Sequence, residues 1–392
     1  MLPNEVRPPY FDPKSVPLNA RYRDIGRRAE RPFMIFATLL DTELGDLISK
    51  VVFLSTLKEQ FDHARLIVRY RALRPYSSEV VSLSPNIDHA TPLRGERPKW
   101  LARWLPDMRP WLPLGRGTLG REGKREAFYD FVVIESMMNA RNVHGFERPA
   151  VLRIPPERED ELHRRLVDLG LDPGRWYATV HYRGGNYGPK RNKSPIRNSD
   201  PETYRQLVDF IIDELGGQVV QLGHPELRPF PPRAGFVDLS RLENSFLLQA
   251  YAVCHSRFLV AGPSGPVALG WGFQVPIAVV DATDCHGGWG DSEQVILTHE
   301  VTTPDGRKLM NRALFEAGLL DYVALARKIR DGENYRVRKN SVEELTAAAR
   351  FLFDRTADTQ GWRPALRRPA AARPNRFVWP PQTHDNLRFL GE

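Results

Sequence analysis

Runs of apolar residues separated by polar turns recur along the first third of the chain. Residues 33–40 are almost continuously apolar, which predicts a buried parallel strand. Residues 47–61 then carry apolar side chains at helical spacing, and residues 65–68 predict a second strand. Further strands are predicted at 80–83 and 129–134. This order of strand, loop, helix and strand is typical of a Rossmann-like half.

The same pattern begins again after a proline-rich junction near residues 148–157. A helix is predicted over 158–169, and Gly170 ends it. Beyond it, the apolar runs predict strands at 177–182, 217–223, 236–239, 258–261 and 276–280. These strands alternate with helices predicted at 201–215, at 245–254 and from residue 266 onward. Strands that alternate with helices form a parallel, doubly wound sheet, so the predicted fold class is α/β.

The length of the chain agrees with two such halves, because single cores rarely grow beyond ~250–300 residues and this chain has 392. We therefore predict two Rossmann-like domains with a cleft between them. The predicted boundaries are an irregular N-terminal arm over 1–31, a first Rossmann-like domain over 32–152, a second over 153–330, and a C-terminal helix with a basic tail rich in proline and alanine over 331–392. Ser341 and Glu344 have the spacing of a capping box that starts this last helix.

Composition narrows the classes of protein to which the chain can belong. Its hydrophobic fraction of 41% is enough for packed cores, and no apolar run approaches the ~20 residues of a membrane helix. The N-terminus lacks the apolar segment of a secretory signal, so we expect a soluble, cytoplasmic protein. The net charge of +8 favours acidic partners such as phosphates. The motifs of nucleic-acid-binding modules are missing, and we predict no nucleic-acid partner.

The turn at residues 262–265, between a predicted strand and a predicted helix, is a candidate anion site. The first N–H groups of a helix have no partner within the helix, and the helix dipole attracts negative charge. Gly265 would let a phosphate approach the backbone, Ser264 could add a hydroxyl, and Pro266 begins the helix. A plain structural turn explains the same residues. The position at the carboxyl end of a parallel strand, where such sheets bind ligands, favours function.

A second candidate lies where another predicted strand ends, with His181 followed by Arg183. The Arg183 guanidinium could bind phosphate through two parallel hydrogen bonds, which a lysine cannot copy. The glycine-rich loop after it contains Lys190 and Arg197 and could close over a polyphosphate. A solvated charged loop is the alternative, and His181 alone would be more often structural. Gly223 ends the next strand, and we include it among the predicted phosphate-binding residues.

Carboxylates follow the first predicted strand, in a polar turn that contains Glu43 and Asp46. A transfer to a hydroxyl needs a general base, and Asp46 or Glu43 could serve, although Asp46 could instead cap the helix that follows. Asp281 begins a further polar loop that could contact a nucleoside, with an ordinary loop as the favoured interpretation. No His, Asp and Glu cluster has metal-ligand spacing, and no Asp-x-Asp occurs, so we expect no metal. Arginine, lysine and backbone amides would then neutralise phosphate.

The order of these short motifs resembles the GT-B glycosyltransferases, in particular bacterial glycosyltransferases related to heptosyltransferases and fucosyltransferases. Residues 179–183 are similar to the His-x-Arg strand end of fucosyltransferase-type enzymes. Residues 197–200, which include Asn198, resemble an Arg-Asn-x-Asp run of the bacterial group. Residues 262–266 resemble the Ser-Gly turn of heptosyltransferase-like donor sites, and residues 44–47 resemble the heptosyltransferase N-terminus.

The resemblance implies a GT-B fold, with an acceptor domain over 32–152 and a donor domain over 153–330. In the resembled families the arginine at the position of Arg183 binds the donor diphosphate, and the aspartate at the position of Asp46 is the proposed base. We therefore expect an inverting, metal-independent transfer of a sugar from a nucleotide-diphosphate sugar to an acceptor hydroxyl, in cell-surface glycan or glycoconjugate synthesis. His181, Lys190, Arg197, Asn198, Gly223 and the Ser264–Gly265–Pro266 turn would form the rest of the donor site.

Two other interpretations stay open. The chain could be a sugar-nucleotide epimerase or hydrolase on the same fold, or a non-catalytic protein that binds a nucleotide or a glycan. The carboxylates Asp41, Glu43 and Asp46 favour an enzyme, because a phosphate sensor has no use for them. The nucleotide sugar would be a co-substrate, with no other cofactor, and the acceptor would be a glycan, a lipid-linked sugar or a protein. The basic tail could hold the protein at the anionic inner face of the membrane.

Overall fold

The computed structural model describes most of the chain. The described residues are 32–40, 43–61, 63–93, 117–122, 125–129, 131–133, 138, 143, 149–185, 195–283, 292–356, 361–365 and 389–390. The chain divides into two compact units, Met1–Pro155 and Pro156–Glu392, which we call the first unit and the second unit. Both units contain parallel sheets and helices, so the predicted α/β class is confirmed.

The first unit is built around a small parallel sheet. Its elements are β1 (Phe33–Leu39), α1 (Leu44–Glu59), β2 (Ala64–Tyr70), α2 (Ser77–Ser82), β3 (His89–Pro92), β4 (Gly117–Glu122), β5 (Arg125–Tyr129) and β6 (Phe131–Val133). The sheet has the order β3-β2-β1-β6, and β4 and β5 form a separate antiparallel pair. Ile35, Ala37 and Leu39 of β1 are fully buried, as a strand inside a covered parallel sheet requires.

Two strand predictions in the first unit need correction. The predicted strand at 80–83 is wrong, because this stretch belongs to α2, where the N–H of Val80 donates to Tyr76 O at 2.9 Å. Val80 and Val81 are buried, so packing of the helix outweighs the strand preference of two β-branched residues. The third strand is β3 instead. The predicted strand at 129–134 is divided between the end of β5 and the short β6.

The second unit contains a larger sheet, and its elements alternate along the chain. They are α3 (Pro156–Asp168), β7 (Tyr177–His181), α4 (Pro201–Asp213), β8 (Gln218–Gln221), β9 (Phe236–Asp238), α5 (Phe246–His255), β10 (Leu259–Ala261), α6 (Gly265–Gly272), β11 (Ile277–Ala282), β12 (Gln294–Thr298), β13 (Glu300–Thr302), β14 (Lys308–Leu309), α7 (Arg312–Glu316), α8 (Tyr322–Arg330), β15 (Arg336–Arg338), α9 (Val342–Arg355) and β16 (Phe389–Leu390). A 3-10 turn over Pro195–Arg197 precedes α4. The predicted strands and helices of this half are therefore all found, within a few residues of the predicted limits.

Strand order in the second unit reverses at β7. The order across the sheet is β16-β12-β11-β10-β7-β8-β9, in which all neighbours are parallel except the edge pair β16 and β12. From β7 the chain moves outward through β8 and β9, and then returns to place β10 on the other side of β7. The carboxyl ends of β7 and β10 thus meet where the direction of progress changes, which is where open α/β sheets bind ligands.

Helices cover both faces of this sheet. On one face, α4 and α9 pack on a core that includes Val180, Val219 and Val260 of three neighbouring strands. On the other face, α5 packs against α3 and α6, and the hydroxyl of Tyr177 donates to Ala252 O of α5 at 2.8 Å. Strands buried from both sides leave only their ends for contact with a ligand, so function belongs at an edge of the sheet.

Residues 300–338 form an additional structure, which we call the accessory module. The strands β13, β14 and β15 make a small antiparallel sheet in the order β14-β13-β15, with α7 and α8 beside it. Its apolar cluster consists of Val301, Leu314, Leu319, Leu325 and, from the 3-10 turn before α4, Ile196. The accessory module therefore packs directly against the segment that follows β7. The sequence analysis did not identify this module.

The C-terminal helix α9 begins with the predicted capping box. The Ser341 hydroxyl accepts from the N–H of Glu344 at 3.3 Å, and the Glu344 carboxylate accepts from the N–H of Ser341 at 2.7 Å. Two pieces of the predicted basic tail are described, residues 361–365 and the two-residue strand β16, which pairs with β12. None of the described helices is both long and apolar enough to span a membrane.

Candidate active site

The carboxyl edge of the second sheet brings two predicted anion-binding elements side by side. His181 of β7 pairs with Ala261 of β10, and the N–H of Gly262 donates to His181 O at 3.0 Å. Arg183 and the turn that starts at Gly262 therefore follow directly from two hydrogen-bonded strands. A Cβ placed on Gly262 would lie only 3.9 Å from the backbone nitrogen of Arg183. The two predicted anion-binding elements therefore lie next to each other at the edge of the sheet.

Ser199 joins these two strand ends. Its N–H donates to Arg183 O at 3.0 Å, which returns the loop after β7 to the end of that strand. A Cβ on Gly262 would meet the Ser199 hydroxyl at 2.9 Å and the Tyr204 hydroxyl at 3.2 Å. A residue larger than glycine at 262 would therefore push Ser199 away, and the close approach depends on the missing side chain. The sequence analysis named Ser199 only within a motif and gave it no role.

His181 is a neutral, buried imidazole. Its Nδ1 lies 3.2 Å from Leu222 O, and because a carbonyl can only accept, Nδ1 carries the proton. Burial lowers the pKa of His181 to about 4, which the bond to Leu222 O opposes and the charges of His224 and Arg183 assist. Its Nε2 is then a lone-pair acceptor, and it has no hydrogen-bond partner among the described residues. A neutral Nε2 cannot donate to a phosphate oxygen, but it can accept from a hydroxyl.

The turn after β10 exposes backbone N–H groups at the start of α6. Ser264 is the N-cap residue, in extended conformation, and within the described chain its side chain makes no capping bond. Pro266 has no N–H, and the N–H of Val267 already donates to Ser264 O at 3.1 Å. The N–H groups of Ser264 and Gly265 are therefore the ones that this turn can offer to an anion, together with the positive end of the helix dipole.

Arg197 also contacts the turn after β10. Its Nη2 donates to Pro263 O at 2.7 Å, and its guanidinium lies over the ring of Tyr322 at 4.9 Å from the centroid. Tyr322 packs on the apolar cluster of the accessory module. Arg197 is one of the residues predicted to bind phosphate, whereas in this structure its guanidinium donates to the backbone carbonyl of Pro263. Spacing along the chain could not predict this partner, because Pro263 and Tyr322 are distant in sequence.

Asp281 is a structural carboxylate at the end of β11. Its Oδ1 accepts from the N–H of Asn340 at 2.8 Å, and its own N–H donates to Asn340 Oδ1 at 2.6 Å. Burial raises the pKa of Asp281, which the charge of Lys339 opposes. The backbone at Asp281 has a φ of 51° and interrupts the regular pairing of β11 with β12. The structure thus ties this residue to the start of α9 and does not expose it as a free polar loop.

The end of β8 is held by a side chain of α5. Gln249 accepts from the N–H of Gly223 and donates to Gly223 O, both at 2.9 Å. Gly223 has a φ of 149°, and a Cβ there would lie 2.2 Å from Leu227 Cδ1. Steric requirements alone therefore explain glycine at this position. Its predicted contact with phosphate stays a prediction.

The carboxylates of the first unit lie at the start of α1. Glu43 is the N-cap residue in extended conformation, exposed, and makes no side-chain capping bond within the described residues. Asp46 lies in the first turn of α1 and is also exposed, so the alternative prediction that Asp46 is the N-cap is wrong. A negative charge in a first turn stabilises a helix, and this electrostatic role does not conflict with that of a base.

Several expectations stay untested. Lys190 lies outside the described residues, as do Asp41 and residues 284–291. Asn198 is described, half-buried, directly after the 3-10 turn, and its N–H donates to Pro195 O at 3.0 Å. In the described parts of the chain, no group of three or more His, Cys, Asp or Glu residues could hold a metal ion. The predicted independence from metal stays a prediction.

Comparison with known proteins gives a likeness of structure. No family model and no curated protein sequence matches the chain. The chain is similar to a family 9 glycosyltransferase from Veillonella parvula, with a TM-score of 0.55 and 15% identity over 84% of this chain and 99% of that one. It is also similar to ADP-heptose LPS heptosyltransferase II of E. coli, with a TM-score of 0.42 and 15% identity over 63% and 84% of the two chains. For the E. coli heptosyltransferase WaaC with ADP, the TM-score is 0.41 and the identity is 13%, over 76% and 99%.

The likeness to the family 9 protein establishes a shared fold and, at 15% identity, nothing finer. The two heptosyltransferases have TM-scores below 0.5 and add no argument. The predicted resemblance to the heptosyltransferase-related glycosyltransferases is thus confirmed at the level of the fold. Activity, donor and acceptor do not follow from it.

Proposed function

We propose that this protein is a glycosyltransferase that transfers a sugar from a nucleotide-diphosphate sugar to an acceptor hydroxyl, with inversion and without a metal ion. One observation carries the proposal. Arg183 and the Ser264–Gly265 turn follow neighbouring strands at the point where strand order reverses. A cationic side chain and two N–H groups side by side suit the two phosphates of a nucleoside diphosphate. The fold shared with a family 9 glycosyltransferase agrees with this chemistry.

In the proposed complex, the diphosphate lies between the Arg183 guanidinium and the N–H groups of Ser264 and Gly265. When the bond between the sugar and the diphosphate breaks, its electron pair leaves with the diphosphate, and the same donors stabilise the added negative charge. His181 plays a different role from Arg183. As a neutral acceptor at Nε2, it would accept a hydrogen bond from a hydroxyl of the donor and would not contact phosphate.

The proposed transfer step requires a base from the first unit. Asp46, with Glu43 as the alternative, takes the proton of the acceptor hydroxyl. The oxygen of that hydroxyl attacks the anomeric carbon from the face opposite the diphosphate. Configuration at that carbon then inverts. The support for this step is the resemblance of residues 44–47 and the exposure of both carboxylates. A role in glycan synthesis at the inner face of the membrane agrees with a lipid-linked acceptor.

The experiment that tests donor binding is a thermal-shift screen against the common nucleoside diphosphates and their sugar derivatives. A ligand that binds only the folded state raises the melting temperature in proportion to RT ln(1 + [L]/Kd). We expect at least one nucleoside diphosphate to give a shift, and we expect Arg183→Met to abolish it. Arg175→Met is the matched control, because Arg175 lies at the opposite end of β7 and donates to Gly216 O at 3.0 Å.

The outcomes separate the proposed function from its alternatives. A bound sugar nucleotide that is consumed only when an acceptor is added supports the transferase. Consumption without any acceptor would instead identify an epimerase or a hydrolase, and binding without turnover would identify a non-catalytic protein. If no nucleotide shifts the melting temperature, the donor site is wrong.

A further inference from the structure

The segment Pro195–Asp200 contacts both halves of the proposed diphosphate site. Ser199 donates to the backbone of Arg183, and its hydroxyl lies against Gly262. Arg197 donates to Pro263 O at 2.7 Å. Asp200 caps α4 by accepting from the N–H of Glu202 at 3.0 Å, so the C-terminal end of the segment is held by a helix. In addition to the pairing of β7 with β10, this segment therefore links Arg183 to the turn.

The bond from Arg197 to Pro263 O has a consequence for the next N–H. The C=O of Pro263 and the N–H of Ser264 belong to one peptide unit, and in a trans unit they point in opposite directions. Within the described chain, no peptide bond is cis. Because the carbonyl faces Arg197, the N–H of Ser264 points away from Arg197. A phosphate bound to this N–H and the guanidinium bound to this carbonyl then lie on opposite sides of the peptide unit.

Arg197 in turn rests on the accessory module. Its guanidinium lies over the ring of Tyr322, the first residue of α8, at 4.9 Å from the centroid. The neighbouring Ile196 is buried in the apolar cluster of the module, and Lys339, just after β15, donates to Ile196 O. The segment is thus held by a packed cluster, a hydrogen bond and a cation–π contact, all from residues that lie outside the doubly wound sheet.

We infer that Arg197 is a positioning residue, held by Tyr322 of the accessory module, that orients the Ser264 N–H for the diphosphate of the donor. This inference rests on the proposed function, since it concerns the same site. In this role, the accessory module supports the Ser264–Gly265 turn from the side of the Pro263 carbonyl, away from the bound phosphate. It also replaces the expected direct contact of Arg197 with phosphate by an indirect action through the Pro263 carbonyl.

The test is calorimetric titration of the full chain with inorganic pyrophosphate and with the nucleoside diphosphate that binds best. Arg197→Met keeps the length of the side chain but loses the donor to Pro263 O, and we expect about tenfold weaker binding, because the Ser264 N–H is no longer held in place for the phosphate and small displacements in a preorganised site are costly. Tyr322→Leu leaves Arg197 in place without its ring, and we expect a several-fold loss. Tyr322→Phe keeps the ring and should bind as the unmodified protein does.

The control is Tyr335→Leu. Tyr335 packs on the same apolar cluster, but its ring lies under Lys328 at 5.5 Å and not under Arg197. This variant should lose as much stability as Tyr322→Leu while its affinity for pyrophosphate stays unchanged. The double variant Arg197→Met with Tyr322→Leu should bind no more weakly than Arg197→Met alone, because both changes remove the same support.

Each outcome decides between the alternatives. If Arg197→Met weakens binding but Tyr322→Leu does not, Arg197 does not depend on the accessory module and the inference is wrong. If both variants bind like the unmodified protein, the inference fails while the donor site itself stands. If the unmodified protein binds neither pyrophosphate nor any nucleoside diphosphate, the proposed function fails first. If Tyr322→Leu and Tyr335→Leu weaken the binding of pyrophosphate equally, general destabilisation explains the effect, which also overturns the inference.

Discussion

The two units carry their candidate chemistry at the same kind of place, the carboxyl end of an interior parallel strand, but they build it differently. After β7, the chain is held by bonds from Ser199 and by the close approach of Gly262. After β1, Glu43 and Asp46 are exposed at the start of α1, and the Glu43 carboxylate makes no capping bond within the described residues. The described residues at one end are held by these contacts, and those at the other end present carboxylates to solvent.

This difference matches the two parts of the proposed reaction, donor binding and proton transfer. Recognition of a diphosphate requires donors in fixed positions, and in the second unit hydrogen bonds of Ser199, Gly262 and Arg197 hold the Arg183 backbone and the turn. A general base needs only to reach one hydroxyl, and its geometry can form when the acceptor binds. Binding predictions therefore rest on contacts already present, whereas the prediction for the base rests on position and resemblance.

The largest expected effect is on turnover when Asp46 is replaced. Asp46→Asn removes the base but keeps the shape, so we expect turnover to fall by roughly 100- to 10,000-fold, the range for loss of general base catalysis. Donor affinity should stay unchanged, as measured by titration with the nucleoside diphosphate. Glu43→Gln is the matched control. If Glu43→Gln rather than Asp46→Asn stops turnover, the base is Glu43, and normal turnover in both variants would remove the first unit from the chemistry.

A smaller effect is expected when the close approach at Gly262 is disturbed. Gly262→Ala places a Cβ 2.9 Å from the Ser199 hydroxyl and 3.2 Å from the Tyr204 hydroxyl, so both side chains must shift beside the end of β7, where the Ser199 N–H donates to Arg183 O. We expect about tenfold weaker donor binding by the principle that small displacements in a preorganised site are costly. Ser199→Ala in the same chain removes the hydroxyl that the methyl meets and should restore part of the affinity. Unchanged binding in Gly262→Ala would show that donor binding does not need the close approach of Gly262 to Ser199.

The pH dependence of stability tests whether the imidazole of His181, at the end of β7, is neutral. The pKa of His181 lies at about 4 in the folded chain because of burial, against an ordinary value near 6.5. The unfolded chain therefore binds more protons between these values, and the free energy of unfolding falls as pH falls from about 6.5 to about 4, by roughly 3 kcal/mol for this group. His299, with a pKa lowered by burial to about 3, acts in the same direction.

Denaturant unfolding at pH 7 and at pH 4.5 measures this dependence. His181→Asn keeps a donor toward Leu222 O but does not titrate, so its stability should fall less between the two pH values than that of the unmodified chain. An identical fall in both would mean that His181 is already charged or exposed, contrary to its burial.

The smallest expected effect is that of metal removal. Because Arg183 and backbone N–H groups can neutralise the diphosphate in the proposed site, we expect turnover with EDTA to equal turnover without it. Loss of activity with EDTA and recovery with magnesium would show that the fixed donors are not sufficient.

The alternation of apolar runs predicted the doubly wound sheet of the second unit as far as β11, because its strands are buried on both faces. It did not predict the accessory module of the same unit. The strand wrongly predicted at 80–83 shows the limit, because two adjacent valines suit a buried helix face as well as a strand. In the candidate site, Arg183 and Gly265 follow from local signals at strand ends. The partners of Arg197 do not, because the contact with Tyr322 joins residues more than a hundred positions apart.

The central claim is that the donor diphosphate lies between Arg183 and the turn at Ser264–Gly265. A crystal structure of the protein with the nucleoside diphosphate that shifts its melting temperature tests it most directly. We expect phosphate oxygens within hydrogen-bond distance of the Arg183 guanidinium and of the Gly265 N–H, with the Pro263 carbonyl still bound to Arg197. A diphosphate bound away from the carboxyl ends of β7 and β10 would contradict it.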